Sequence, residues 1–155
     1  MAMTVTKLSD ALGAEITGVD VATLDDAAFA GALDAFHQNC IVVFRDQDLA
    51  PAAQVAFSRR LGEIQYHVSP EMCLDAHPEV MVLSNEIRDG KFVGIPDAGS
   101  DWHSDHSYMA VPTKISMLHA LRVADQGGDT EWANMYTAYD TLPDATKVRL
   151  EGLVG

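Results

Sequence analysis

Short apolar runs separated by turn signals set the strongest limit on what this chain can fold into. The runs "TVTKL" (4–8), "AEITGVDV" (14–21), "CIVVFRD" (40–46), "EVMVLSN" (79–85) and "KISMLHALRVA" (114–124) alternate or are rich in β-branched residues. Each has the length of a strand. Gly13 marks a turn between the first two. Helical spacing is confined to a few places. "DDAAFAGALDAFHQN" carries Phe29, Leu33 and Phe36 on one face, and Thr23 with Asp26 reads as a capping box before it. "LAPAAQVAFSRRLGE" has Pro51 near its start and Gly62 as its stop. "MYTAYDTLPDATKVRLEGL" has helical character broken or restarted at Pro143. Between them, Ile64 to Pro78 reads as an irregular connection, and 86–100, with Asp89-Gly90, Gly94, Pro96 and Gly99, as a hairpin or mobile loop. "DWHSDHSYM" alternates like a strand, and "DQGGDTEWAN" is a turn leading into a short one. Strands with apolar faces, flanking helices and abundant Gly turns predict an α+β, mainly-β fold.

The chain's 155 residues suffice for one domain with a core, and 48% apolar with 21% charged residues argues against disorder. Ten basic against twenty-three acidic residues give a formal charge of −13. That balance disfavours nucleic acid and anionic membranes as partners, since both demand clustered Lys and Arg. Cys40 and Cys73 are lone thiols with no short partner spacing, which suits a reducing compartment. "MAMTVTKLSD" lacks a basic segment followed by an apolar one, so no signal peptide is expected, and no apolar run approaches the roughly 20 residues of a membrane span. The expected location is cytoplasmic.

The chemistry concentrates in "DWHSDHSYMAVP" (101–112). On a strand, residues i and i+2 share a face roughly 6.5 Å apart, so His103 and Asp105 can reach one metal ion while Ser104 points away. A facial triad of two His and one carboxylate needs this pair plus a distant His, and it leaves neighbouring positions open for a cosubstrate and O₂. Alone the pattern is weak, because a His-x-Asp arises by chance in roughly one of every five to ten chains this long. A competitor, His77-Pro78-Glu79, is set aside because Pro78 in a loop spoils strand geometry. His106 is a lesser candidate, facing the other side of a strand.

Motifs downstream of the pair make it far more specific. "WHSDHSY", then "GGDT" some two dozen residues on, then "AYDTLP" resembles the TauD/TfdA family of Fe(II)- and 2-oxoglutarate-dependent dioxygenases. "GAEITGVDV", "IVVFRDQDLAPAAQVAFSRRLGEI" and "VLSN" are similar to the family's N-terminal half, so the resemblance covers nearly the whole chain. It implies a double-stranded β-helix, a jelly-roll barrel with flanking helices. It also implies that His103 and Asp105 are catalytic iron ligands and that Thr130 contacts a carboxylate of 2-oxoglutarate. Gly127 and Gly128 are expected to supply backbone conformations that other residues dislike. His67 stands where some members place a substrate-contacting His, and Asn85 and Tyr108 are candidates to line the same pocket. Strict alternation turns Tyr108 away unless the strand bends. Trp102 and Trp132 are expected to pack, and Arg59-Arg60 to form a solvated surface pair.

The implied reaction couples decarboxylation of 2-oxoglutarate to succinate and CO₂ with hydroxylation of a small organic substrate by O₂. A sulfonate or aryloxy acid is the type of substrate implied. Family members run close to twice this length, and their C-terminal half carries the distal His and a carboxylate-pairing Arg. Residues 1–155 are therefore expected to be the N-terminal portion of a single dioxygenase domain, truncated and inactive on its own. A homo-oligomer or a partner chain completing the barrel is the expected remedy. Two alternatives remain. One is an inactive half-barrel acting as an interaction module. The other is a zinc-dependent hydrolase using His103, Asp105 and His106 or His119, in which "GGDT" has no role.

Overall fold

The computed structural model describes residues 2–153, which fall into two compact units, 2–48 with 120–153 and 49–119. In the first, β1 (Thr4–Lys7) pairs antiparallel with β2 (Ala14–Thr17), Thr4 opposite Thr17. β2 pairs in parallel with β3 (Val42–Phe44), Ala14 opposite Val42. A parallel pair needs a long crossover, here supplied by α1 (Asp26–Asn39).

The cap of α1 is Asp25, whose carboxylate accepts from the Ala28 N–H at 2.8 Å. The Thr23 capping box is thus corrected: Thr23 closes a 3-10 turn, Val21–Thr23, that Asp20 caps. Ala32 and Ala35 are buried and pack against fully buried Ile16, whereas Phe29, Leu33 and Phe36 are only half-covered. Small side chains let the helix lie close on the sheet. The strand expected from Cys40 begins at Val42 because Cys40 takes a left-handed conformation (φ 64°) and donates to Phe36 O as the helix cap.

In the second unit, α2 (Pro51–Leu61) starts at its proline and stops at Gly62, as the sequence predicts. It packs along β5 (His77–Met81), and Arg59 pairs with Glu79 at 2.8 Å. Arg59 is therefore bonded to a strand carboxylate rather than merely solvated. The connection from Ile64 to Pro78 is also more regular than expected. It holds a 3-10 turn, Pro70–Met72, and β4 (Cys73–Leu74), antiparallel to β5. Pro78 thus lies within a strand, tolerated in a two-stranded ladder whose register is already irregular. β6 (Ile87–Arg88) and β7 (Lys91–Phe92) form the hairpin signalled by Asp89-Gly90, both at positive φ (51° and 76°).

Beyond residue 100 the expected strands are not paired in any ladder among the described residues. Residues 113–119 nevertheless alternate between half-covered and exposed, which is the periodicity of a strand without its partner. The chain then forms α3 (Met135–Asp140) and, after Pro143, α4 (Asp144–Leu150), matching the predicted break. The class is mixed α+β, and the described residues close no barrel. Both cysteines are free, and no helix among the described residues is long and apolar enough to cross a membrane.

Candidate functional site

His103 and Asp105 converge, though not on a strand. The chain turns over Asp105–Tyr108, and His106 sits at φ 50°. His103 Nδ1 donates to the Asp101 carbonyl at 2.7 Å, so in the neutral ring the lone pair is on Nε2. That nitrogen lies 3.3 Å from Asp105 Oδ1, and Ser116 Oγ donates to the other carboxylate oxygen, Oδ2. Two ligands in neighbouring positions around an ion at about 2.0–2.2 Å stand about 3 Å apart. The pair fits that spacing, with one atom of each side chain tethered to a third group and the other facing its partner. The tethers are the kind of outer partner that orients metal ligands.

The Asp101 carbonyl bond chiefly raises the His103 pKa above 6.5; desolvation opposes it, and the charge of Asp105 and its hydrogen bond to the ring add to the rise. Both side chains are about half exposed. Among the described residues no group of three His, Cys, Asp or Glu is placed to hold a metal, so neither His106 nor His119 completes the set. His77-x-Glu79, discounted on loop geometry, lies on a strand after all, but Glu79 is engaged by Arg59.

His67, His106 and Tyr108 form a second grouping. The His67 and His106 rings lie 6.1 Å apart, and Tyr108 meets His106 edge-on at 5.9 Å. The turn at His106 supplies the bend that strict alternation denied to Tyr108. His67 Nδ1 accepts from the Ser69 N–H at 3.1 Å, so its Nε2 carries the proton. Asn85 is exposed ahead of β6, and its side chain makes no hydrogen bond among the described residues. Thr130 lies in the other unit, exposed in irregular chain after Gly127 and Gly128, whose φ values of 70° and 71° match the expectation for them. Trp102 and Trp132, expected to pack, are 71% and 51% exposed. An open depression of about 460 Å³, lined by Arg59, Gly62, Glu63, Ile64 and Tyr66, includes none of the metal-binding candidates.

Sequence reasoning missed Ser116 and Gln65, the latter bonded to His106 and Thr113. Alternation in "KISML" gives the face of Ser116, but nothing local signals its partner.

Known proteins match this chain along nearly its whole length. Residues 4–155 match the family described as taurine catabolism dioxygenase TauD, TfdA family. The chain is 32% identical, over 98% of its length and 52% of the relative's, to the (S)-phenoxypropionate/alpha-ketoglutarate-dioxygenase of Sphingobium herbicidovorans. A taurine dioxygenase from Burkholderia xenovorans superposes with TM-score 0.81 at 32% identity, over 98% of this chain and 52% of that one. AAD-2 in complex with Mn(II) and N-oxalylglycine gives 0.70 at 28%, over 97% of this chain and 50% of that one. The chain thus spans about half the length of the curated relatives it matches.

Proposed function

Because the chain belongs to the TauD/TfdA family over residues 4–155, we propose that it is one portion of a single jelly-roll dioxygenase domain and supplies two of its three iron ligands. His103 would hold the ion through Nε2 and Asp105 through Oδ1. Fe(II) with 2-oxoglutarate and O₂ supplies, when bound, hydroxylation of a substrate carbon with release of succinate and CO₂. The observation that carries this reading is the 3.3 Å approach of those two atoms, with Asp101 O and Ser116 Oγ holding the far side of each ligand.

The chain's own residues would orient and bind. The Asp101 carbonyl keeps the His103 proton on Nδ1, so Nε2 offers its lone pair to an ion without a change of tautomer. The Thr130 hydroxyl would donate to a carboxylate of 2-oxoglutarate. His67, with its proton on Nε2, would present a donor to an anionic substrate, Tyr108 would offer a ring face, and Asn85 an amide. A donor beside aromatic rings suits a small organic acid of sulfonate or aryloxy type, the class named for the phenoxypropionate and taurine relatives. The third ligand and the Arg for the far carboxylate would come from the remainder of the domain, from a second copy or from a partner chain. Two free thiols agree with a reducing, cytoplasmic setting.

The test is anaerobic titration of Fe(II) and 2-oxoglutarate into the purified chain and into His103→Ala, following the visible charge-transfer band of chelated 2-oxoglutarate. A band in the parent, lost in the variant, is the expected result. No band in folded protein, alone or mixed with the C-terminal half of a family member, would overturn the reading and favour an interaction module without metal.

A further inference from the structure

We propose that Gln65 is a positioning residue that clamps the turn carrying Asp105, an inference that rests on the metal reading of His103 and Asp105. From Asp101 to Ala110 every residue is exposed except His106, which is half-buried and held at φ 50°, a conformation unusual for any residue but glycine. Something outside the turn must hold it there. The turn's own bonds are Ser107 N–H to Ser104 O at 3.4 Å and Met109 N–H to His106 O at 3.0 Å, the first of them long.

Apart from the Ser116 hydroxyl on the Asp105 carboxylate, the bonds that leave the turn meet at one amide. Gln65 Oε1 accepts from Thr113 Oγ1 at 2.7 Å and from His106 Nδ1 at 3.1 Å. Gln65 Nε2 donates to the Val111 carbonyl at 3.3 Å and meets Met109 Sδ at 3.2 Å. The opposite orientation of the amide would set its oxygen against the Val111 carbonyl, two acceptors face to face, so the network fixes it. Since the Thr113 hydroxyl gives its proton to Gln65, its oxygen accepts from His106 Nδ1–H at 2.8 Å. His106 is therefore the Nδ1–H tautomer. Among the described residues, every hydrogen bond from 106–113 to chain outside 104–113 runs through Gln65. Asp105 is the residue immediately before this clamped loop, so the amide fixes the backbone from which the ligand projects. The clamp reaches across 41 residues to His106 and 48 to Thr113, which is why no local motif announces it.

The experiment uses the full ¹⁵N-labelled chain with Gln65→Leu, which keeps the bulk and removes all four bonds, and Gln65→Glu, which keeps the acceptor and loses the donor. Three quantities are read: amide exchange at Met109, the His106 tautomer from ring ¹⁵N shifts, and Mn(II) affinity by electron paramagnetic resonance. Gln65→Leu is expected to speed Met109 exchange about tenfold, leave α2 amides unchanged, release the His106 tautomer and weaken Mn(II) on the order of tenfold, the low end for outer-partner losses. Gln65→Glu should fall between it and the parent. Unchanged exchange and tautomer would overturn the clamp. Faster exchange with unchanged Mn(II) affinity would reduce Gln65 to a structural role and overturn positioning. A parent that takes no Mn(II) would overturn the metal reading instead, and the clamp would then stand or fall on exchange and tautomer alone.

Discussion

The three-stranded sheet with α1 and the stretch from Asp101 to His119 are held by different forces. In the former, Ala14 and Ile16 are fully buried, and Ala32 and Ala35 pack against Ile16. In the latter, Trp102, Tyr108, Val111 and Leu118 are 62–76% exposed, and the chain keeps its course through side-chain hydrogen bonds to Gln65 and Ser116. One region is fixed by apolar burial, which is non-directional and cooperative. The other is fixed by a handful of directed polar bonds, each of which can be removed singly. Stability should therefore respond to changes in the first and metal chemistry to changes in the second.

The largest effect tests that separation from the core side. Ile16→Ala removes a fully buried side chain from the central strand and should cost about 2–5 kcal/mol in denaturant unfolding. Under conditions where the variant stays folded, its Mn(II) affinity should match the parent's. A metal site lost together with the core would break the comparison. From the other side, Ser116→Ala frees Asp105 Oδ2 and should weaken Mn(II) on the order of tenfold while the unfolding midpoint hardly moves. Equal affinity in parent and variant would show that Asp105 needs no tether.

Legibility in the sequence divides along the same line. α1 and α2 were legible because helical spacing, Pro51 and Gly62 are local signals. The hairpin was legible because Asp89-Gly90 suits two consecutive positive φ values. Thr23 misled as a cap because two neighbouring aspartates, Asp20 and Asp25, compete for the same role and win at successive turns. The strands expected after residue 100 failed because alternation reports two faces but not a partner, and ladders are non-local. The His103–Asp105 approach was foreseen from i, i+2 spacing, yet it arises on a turn, whose shape depends on a glutamine 41 residues from His106.

Smaller effects sharpen the boundary. Asp25→Ala removes the N-cap of α1 and should cost about 1 kcal/mol in the same unfolding experiment, with no change in metal affinity. Glu79→Gln weakens the link between α2 and β5. The Arg59 side chain is 63% exposed, so the loss should stay within about 0.2–1 kcal/mol and shrink in high salt. A larger, salt-independent loss would mean that this pair belongs with the core rather than with the directed contacts.

The smallest effect concerns the titration of His103 in the metal-free chain. Its pKa is raised above 6.5, first by the bond to the Asp101 carbonyl and then by the charge of Asp105. A raised folded value means that the folded chain binds the proton more tightly than the unfolded one. The associated stability is then present below pH 6.5 and disappears as pH rises through the folded value. With the ring half exposed, the effect should be visible in the His103 ring resonances rather than in the unfolding midpoint. Asp105→Asn should lower the titration midpoint only part of the way, because the Asp101 carbonyl, the larger cause, is untouched. A midpoint that returns fully to 6.5 in that variant would show the carboxylate alone to be responsible, and the backbone bond that orients the ring toward Asp105 would lose its support.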